Sequence, residues 1–147
     1  MIHYILFRTQ AHATEDAARV REALGHVLPP ETPVEAAGTE GYFGNPITIL
    51  TARLEKKAAR AYFDFLRQRL PDSDRNALVA ELPERVDAGC FFHLRLSKQD
   101  AYRGDARITY AEDAISLRAK LEAYPAKQET CLRQIREYFD GARSHEA

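Results

Sequence analysis

Hydrophobic and polar positions alternate along this chain in two rhythms, and their order outlines a fold. Period-two runs of β-branched and aromatic residues mark strands at Ile2 to Gln10, in PITILTARL, from Cys90 to Ser97 and from Ala114 to Glu122, with a shorter strand possible in VEAAG. Between them the spacing turns helical. Thr14 reads as an N-cap, with Glu15 and Asp16 in the first turn of a helix carrying Ala17, Val20, Leu24, Val27 and Leu28, which Pro29-Pro30 stops. The stretch KKAARAYFDFLRQRL carries an apolar stripe of Ala59, Tyr62, Phe63, Leu66 and Leu70. Pro71-Asp72-Ser73 then breaks the chain before a short helix around Leu78, Val79 and Leu82. A last helix at about 128–140 follows Pro125, with Leu132, Ile135 and Phe139 on one side. The pattern predicts one α+β domain over residues 1–147. It has two layers, a mostly antiparallel sheet of about four or five strands with helices packed on one face.

Such a domain leaves the other sheet face open, and alternation says which side chains stand there. Phe92, Leu94 and Leu96 form the core set of one strand, which turns Phe91, His93, Arg95 and Ser97 outward. Ile115, Leu117, Ala119 and Leu121 do the same for Ser116, Arg118, Lys120 and Glu122. One register of PITILTARL exposes Thr51 and Arg53, and Tyr4, Arg8 and Gln10 share a side of the first strand. The open face therefore collects cations and rings with few carboxylates. RNA binding needs that combination: positive charge for phosphates, and flat groups on which bases stack. A solvated face that keeps the domain soluble explains the same residues, as it does the basic side of the helix from Lys56.

Composition narrows the choice only slightly. The net charge of −1 excludes a uniformly basic protein but not a local patch, and 45% hydrophobic with 29% charged residues is ordinary for a globular chain. Cys90 and Cys131 lie far apart without CxxC spacing, so neither a disulfide framework nor a zinc cluster follows from them. No apolar run is long enough to span a membrane and no leader pattern opens the chain, so a soluble, cytoplasmic protein is expected. Catalytic patterns are absent: no HExxH, GxSxG, P-loop or GxGxxG occurs, and Asp72, Asp74, Asp87 and Asp100 read as caps and turns. No enzyme, cofactor or metal is expected.

Two polar stretches stand out. In GYFGNPITIL, Gly41 and Gly44 permit positive φ or close backbone approach, Pro46 biases Asn45 to extended geometry, and Tyr42 and Phe43 either stack on a base or cover the core edge. In SKQDAYRGD, after a strand, Lys98, Gln99, Tyr102 and Arg103 make a set suited to phosphates and a base edge, or else an ordinary surface turn.

ATED at Ala13–Asp16, GNPI at Gly44–Ile47 and KQDAYRG at Lys98–Gly104, in that order, resemble archaeal proteins described as RNA-binding or as predicted exosome subunits. The likeness runs from about His3 to Leu121, and the family is similar in fold to the large-subunit ribosomal protein that holds five-S RNA. The resemblance implies RNA as ligand, with no catalytic activity or cofactor. One departure stands just before the third motif, where Ser97 occupies a position that is often Asp in relatives of this type. The candidate RNA-binding set is Tyr42, Asn45, Arg53, Arg95, Lys98, Gln99, Tyr102, Arg103, Arg118 and Lys120. Two readings compete with RNA binding. One is a protein-interaction module of an RNA-processing complex. The other is an enzyme or binder acting on a small phosphorylated ligand held by Lys98, Arg103 and the Asn45 loop.

Overall fold

The computed structural model describes residues 2–41 and 44–146. Strand β1 (Ile2–Ala11) leads to helix α1 (Ala17–His26), and β2 (Glu35–Glu40) and β3 (Pro46–Glu55) form a hairpin. Helix α2 (Lys56–Arg69) follows, then α3 (Asp72–Ala80) and the single turn α4 (Leu82–Arg85). The chain continues through β4 (Phe91–Leu96), the short α5 (Lys98–Tyr102), β5 (Ile115–Leu121) and α6 (Gln128–Glu146). The sheet is antiparallel, five-stranded and ordered β2-β3-β1-β5-β4, as the alternation pattern implied. The candidate strand VEAAG is β2, exposed along its whole length at one edge of the sheet.

One face of the sheet holds the core. Ile5, Phe7, Leu50, Leu54, Phe92, Leu94, Leu117 and Ala119 point into it, all buried. Helix α2 lays Ala59, Tyr62, Phe63 and Leu66 on them and α1 adds Val20, Ala23 and Leu24, because the apolar stripe of each helix has no other surface to bury against. Phe63 meets Phe92 of the sheet and Phe139 of α6 at centroid distances of 5.7 and 6.4 Å, which joins the sheet and two helices in one aromatic cluster. Cys90 and Cys131 close a disulfide that ties the start of β4 to α6, a pairing that their separation of 41 residues gave no means of inferring. The Tyr62 hydroxyl is buried with no hydrogen-bond partner among the described residues, and burial pushes the phenol's pKa upward.

Local chemistry adjusts two boundaries. Asp16, not Thr14, caps α1: its Oδ1 accepts from the Ala18 amide at 2.9 Å, and Glu15 Oε1 instead accepts from the His12 amide at 3.0 Å. SKQDAYRGD, a polar stretch to which the sequence pattern assigned no helix, contains α5: Ser97 Oγ accepts from the Asp100 amide at 3.2 Å, and Gly104 follows the helix with φ +89°. Among the described residues no helix is long and apolar enough to cross a membrane.

Candidate nucleic-acid interface

The register lines up the outward-facing residues in rows across the sheet. Thr51, Arg8, Ser116 and Arg95 are successive cross-strand partners, followed by Arg53, Leu6, Arg118 and His93, then by Glu55, Tyr4, Lys120 and Phe91. Strands lie about 4.8 Å apart and every second residue repeats after about 6.8 Å, so these cations share one compact patch. Arg8, Arg95 and Arg118 are exposed, and among the described residues none of the three is in an ion pair. The other cations are held more closely. Arg53 pairs with Glu55 at 2.6 Å and lies over the Tyr4 ring at 4.3 Å. Lys120 donates to the Gly89 carbonyl at 2.7 Å, and Arg118 and Lys120 flank Phe91 at 3.8 and 4.5 Å from its centroid. Phe91 thus fixes the plane of the Arg118 guanidinium while leaving its charge available.

A rim rises beside β4. Leu78 and Leu82 anchor α3 and α4 in the core, which brings Glu81, Glu84 and Arg85 alongside the sheet face. On the same side, Ser97 N–H donates to the Arg107 carbonyl at 2.9 Å and Thr109 N–H to the Arg95 carbonyl at 3.0 Å, which fastens residues 107–109 along the β4 edge. Tyr110 then reaches Glu81, its hydroxyl donating to Oε1 at 2.5 Å, and Arg85 donates to Glu81 Oε2 at 2.7 Å and to the His93 carbonyl at 3.2 Å. The hydrogen bond from Tyr110 is the main cause holding the Glu81 carboxyl below its ordinary range, and it raises the Tyr110 phenol in turn. Between rim and sheet lies an open groove of about 1010 Å³, floored by Arg8, Arg95 and Arg118. His93 is held at its side by Asp87, Nε2 to Oδ2 at 2.9 Å. Burial alone would raise the Asp87 carboxyl, but hydrogen bonds from His93 and from the Phe91 and Gly89 amides outweigh it and lower the pKa.

The sequence-derived candidates separate into three places. Arg53, Arg95, Arg118 and Lys120 share the open face. Lys98 does not: its side chain is 11% exposed, and Nζ sits 2.9 Å from Glu15, 2.8 Å from Asp113 and 2.8 Å from the Gln10 carbonyl. Burial raises the Asp113 carboxyl, yet the Lys98 hydrogen bond and charge more than offset this and lower it. His12, Glu15 and Asp113 come close enough together to suggest a cation site, but the Lys98 ammonium already serves their carboxylates. Gln99 and Tyr102 on α5 and Arg103 at its C-cap are exposed, and α5 packs against α1 through a 2.8 Å contact of His26 Nδ1 with the Ala101 carbonyl. The Arg19 guanidinium lies 6.0 Å from the Tyr102 ring. Asn45 stands at the β2–β3 turn, exposed. Its carbonyl accepts from the Gly41 amide at 2.7 Å, and a Cβ on Gly41 would come within 2.8 Å of its Oδ1. Gly44 has φ +78°, so both glycines meet conformational demands of this turn. Tyr42 and Phe43 lie outside the described residues.

The rim residues Glu81, Glu84, Arg85 and Tyr110 were not among the sequence candidates. Glu81 and Arg85 do carry one local signal, the i,i+4 spacing of a helical ion pair. Tyr110 stands alone in a polar stretch, and only its pairing across 29 residues gives it a place.

Comparison with known proteins is consistent along nearly the whole chain. A family model described as RNA binding matches residues 4–121. An RNA-binding protein of Pyrococcus abyssi is 38% identical over 145 residues, covering 95% of this chain and 94% of the relative. Among solved structures, a DUF54 protein of Methanothermobacter thermautotrophicus is 38% identical with a TM-score of 0.80, covering 93% of this chain and 97% of that one. A DUF54 protein of Archaeoglobus fulgidus has a TM-score of 0.85 at 28% identity, covering 93% and 99%.

Proposed function

The chain belongs to the RNA-binding (DUF54) family, and on that premise we propose that it binds RNA through the open face of its sheet, without a catalytic step. The observation that carries this reading is the patch of Arg8, Arg95 and Arg118, three exposed guanidinium groups outside any ion pair among the described residues, on a face that the helix layer leaves uncovered. Guanidinium groups release condensed counterions when they meet phosphates, and the exposed ring of Tyr110 offers a stacking surface beside them. The RNA-binding designation of the Pyrococcus abyssi relative supports the same ligand class. Arg53 and Lys120 extend the patch at its margins. Gln99, Tyr102 and Arg103 at α5 and Asn45 at the β2–β3 turn are two further, separate contact candidates, and Lys98 supports the fold that presents the face. We propose for it a cytoplasmic accessory role in RNA processing or ribosome-related assembly.

The test is a fluorescence anisotropy titration of a mixed-sequence RNA at several salt concentrations. Arg95→Ala with Arg118→Ala should weaken binding and make the slope of log affinity against log salt shallower by about 1.4 to 1.8, from about 0.7 to 0.9 for each phosphate no longer neutralised. Unchanged affinity and slope, with the circular dichroism spectrum intact, removes this face from the account.

A further inference from the structure

The two sides of the groove differ in chemistry. Its floor offers Arg8, Arg95 and Arg118, whereas its rim offers Glu81 with Arg85 paired to it, Glu84 and the ring of Tyr110, which is 68% exposed. A surface built only for phosphates gains nothing from carboxylates on its rim, since they repel phosphate oxygens. Carboxylates accept hydrogen bonds, and the nucleic-acid groups that donate to them include the exocyclic amino groups of the bases. Glu81 is partly occupied by Tyr110 and Arg85, but Glu84 is exposed and in no ion pair among the described residues. The bond from Tyr110 to Glu81 holds the aromatic ring in place and leaves it accessible to a base. Size and shape point the same way. A groove of about 1010 Å³ is at the upper end of small-ligand pockets and suits individual bases, whereas an A-form duplex keeps its base edges paired and presents mainly sugar hydroxyls and phosphates.

Resting on the reading of this face as RNA-binding, we infer that the groove takes unpaired nucleotides of single-stranded or looped RNA. Phosphates lie toward Arg8, Arg95 and Arg118, and a base stacks on Tyr110 with an exocyclic amino group toward Glu84. The site then favours amino-bearing bases over uracil, whose one edge donor, N3–H, lies between two carbonyl oxygens that a carboxylate repels.

The probes are fluorescein-labelled oligo-C, oligo-A and oligo-U of about ten nucleotides, and a blunt RNA duplex of about 16 base pairs. Oligo-C and oligo-A should bind about tenfold more tightly than oligo-U or the duplex. Glu84→Gln should bring oligo-U to within about twofold of oligo-C without lowering overall affinity, because a charge opposing the phosphates is gone and the amide can donate to a uracil carbonyl. Tyr110→Ala should weaken oligo-C binding by about tenfold. Equal affinity of the wild-type protein for oligo-U and oligo-C, or a gap that survives Glu84→Gln, overturns the base preference. Duplex binding as tight as oligo-C overturns the restriction to unpaired RNA. If all probes bind alike and weaken alike with Arg95→Ala and Arg118→Ala, the RNA face stands and this inference falls. If no probe binds, the reading of the face itself falls.

Discussion

Reducing the Cys90–Cys131 disulfide is the most quantitative perturbation that the structure offers. The cross-link spans 41 residues, and in the chain-entropy model a loop of that length constrains the unfolded ensemble by about 4 kcal/mol at room temperature. Both cysteines are buried, at 2% and 0% exposure, so reduction leaves two small apolar thiols in the core rather than stranded charge. The whole effect should therefore register as lost cross-linking, since the packing of Ile135 and Phe139 and the hydrogen bonds of Gln128 to the Val86 carbonyl and of Arg67 to the Tyr138 carbonyl still hold α6. For a domain with a net stability of about 5 to 15 kcal/mol this is a large fraction. Urea unfolding followed by circular dichroism, with and without a phosphine reductant, measures it. With a slope of about 2 kcal/mol per molar urea, the midpoint should fall by about 2 M. The double variant Cys90→Ala with Cys131→Ala should fall by at least as much. If a thiol titration shows both cysteines reduced while the midpoint moves by less than about 0.5 M, the loop-closure argument is refuted.

Two further substitutions probe the interior. Lys98→Met keeps the apolar stem but leaves Glu15, Asp113 and the Gln10 carbonyl without their shared donor. Because both carboxylates are partly solvated, the loss should be about 2 kcal/mol rather than the 3 to 5 of a fully buried pair. RNA affinity should stay within about twofold, set against the roughly tenfold that each 1.4 kcal/mol of binding represents. The pH dependence has a definite sign: the Asp113 pKa is depressed in the folded state, so its contribution is present above the unfolded carboxylate value and is lost as pH falls through the folded one. Wild-type protein should lose this increment in acid and Lys98→Met should lose less, because only His12 then remains beside Asp113, which urea titrations at neutral and acid pH would compare. Tyr62→Phe removes a buried hydroxyl that has no partner among the described residues, and should raise stability by about 1 kcal/mol. A lower thermal midpoint for this variant would mean that the hydroxyl has a partner in solution.

The strands and the two faces of the sheet were legible in the sequence because both follow from period-two alternation. Phe92, Leu94 and Leu96 are buried, and Arg95 and His93 between them are exposed, as their order alone implies. What escaped notice depends on pairings far apart in the chain. Nothing around Lys98 announces that Glu15, 83 residues earlier, will neutralise it. Nothing in Tyr110 points to Glu81, and a disulfide between isolated cysteines cannot be read from spacing. Helix α5 was missed for a local reason: five residues are too short to establish a helical period, and the Ser97 cap that starts it is equally at home in a turn.

The strand order has a consequence for how the chain assembles. Strand β1, synthesised before the other four, occupies the middle of the sheet, between β3 and β5. Its partner on one side arrives with residues 46–55, but the partner on the other arrives only with 115–121. Until then β1 keeps one edge of unpaired amides and carbonyls, and the rows that bring Arg8 beside Ser116 and Arg95 do not exist. Closing the sheet requires contacts between residues more than a hundred positions apart, which places this chain among topologies that fold slowly and late in synthesis. The face described above thus exists only once β5 has paired: no fragment that stops short of β5 can present it.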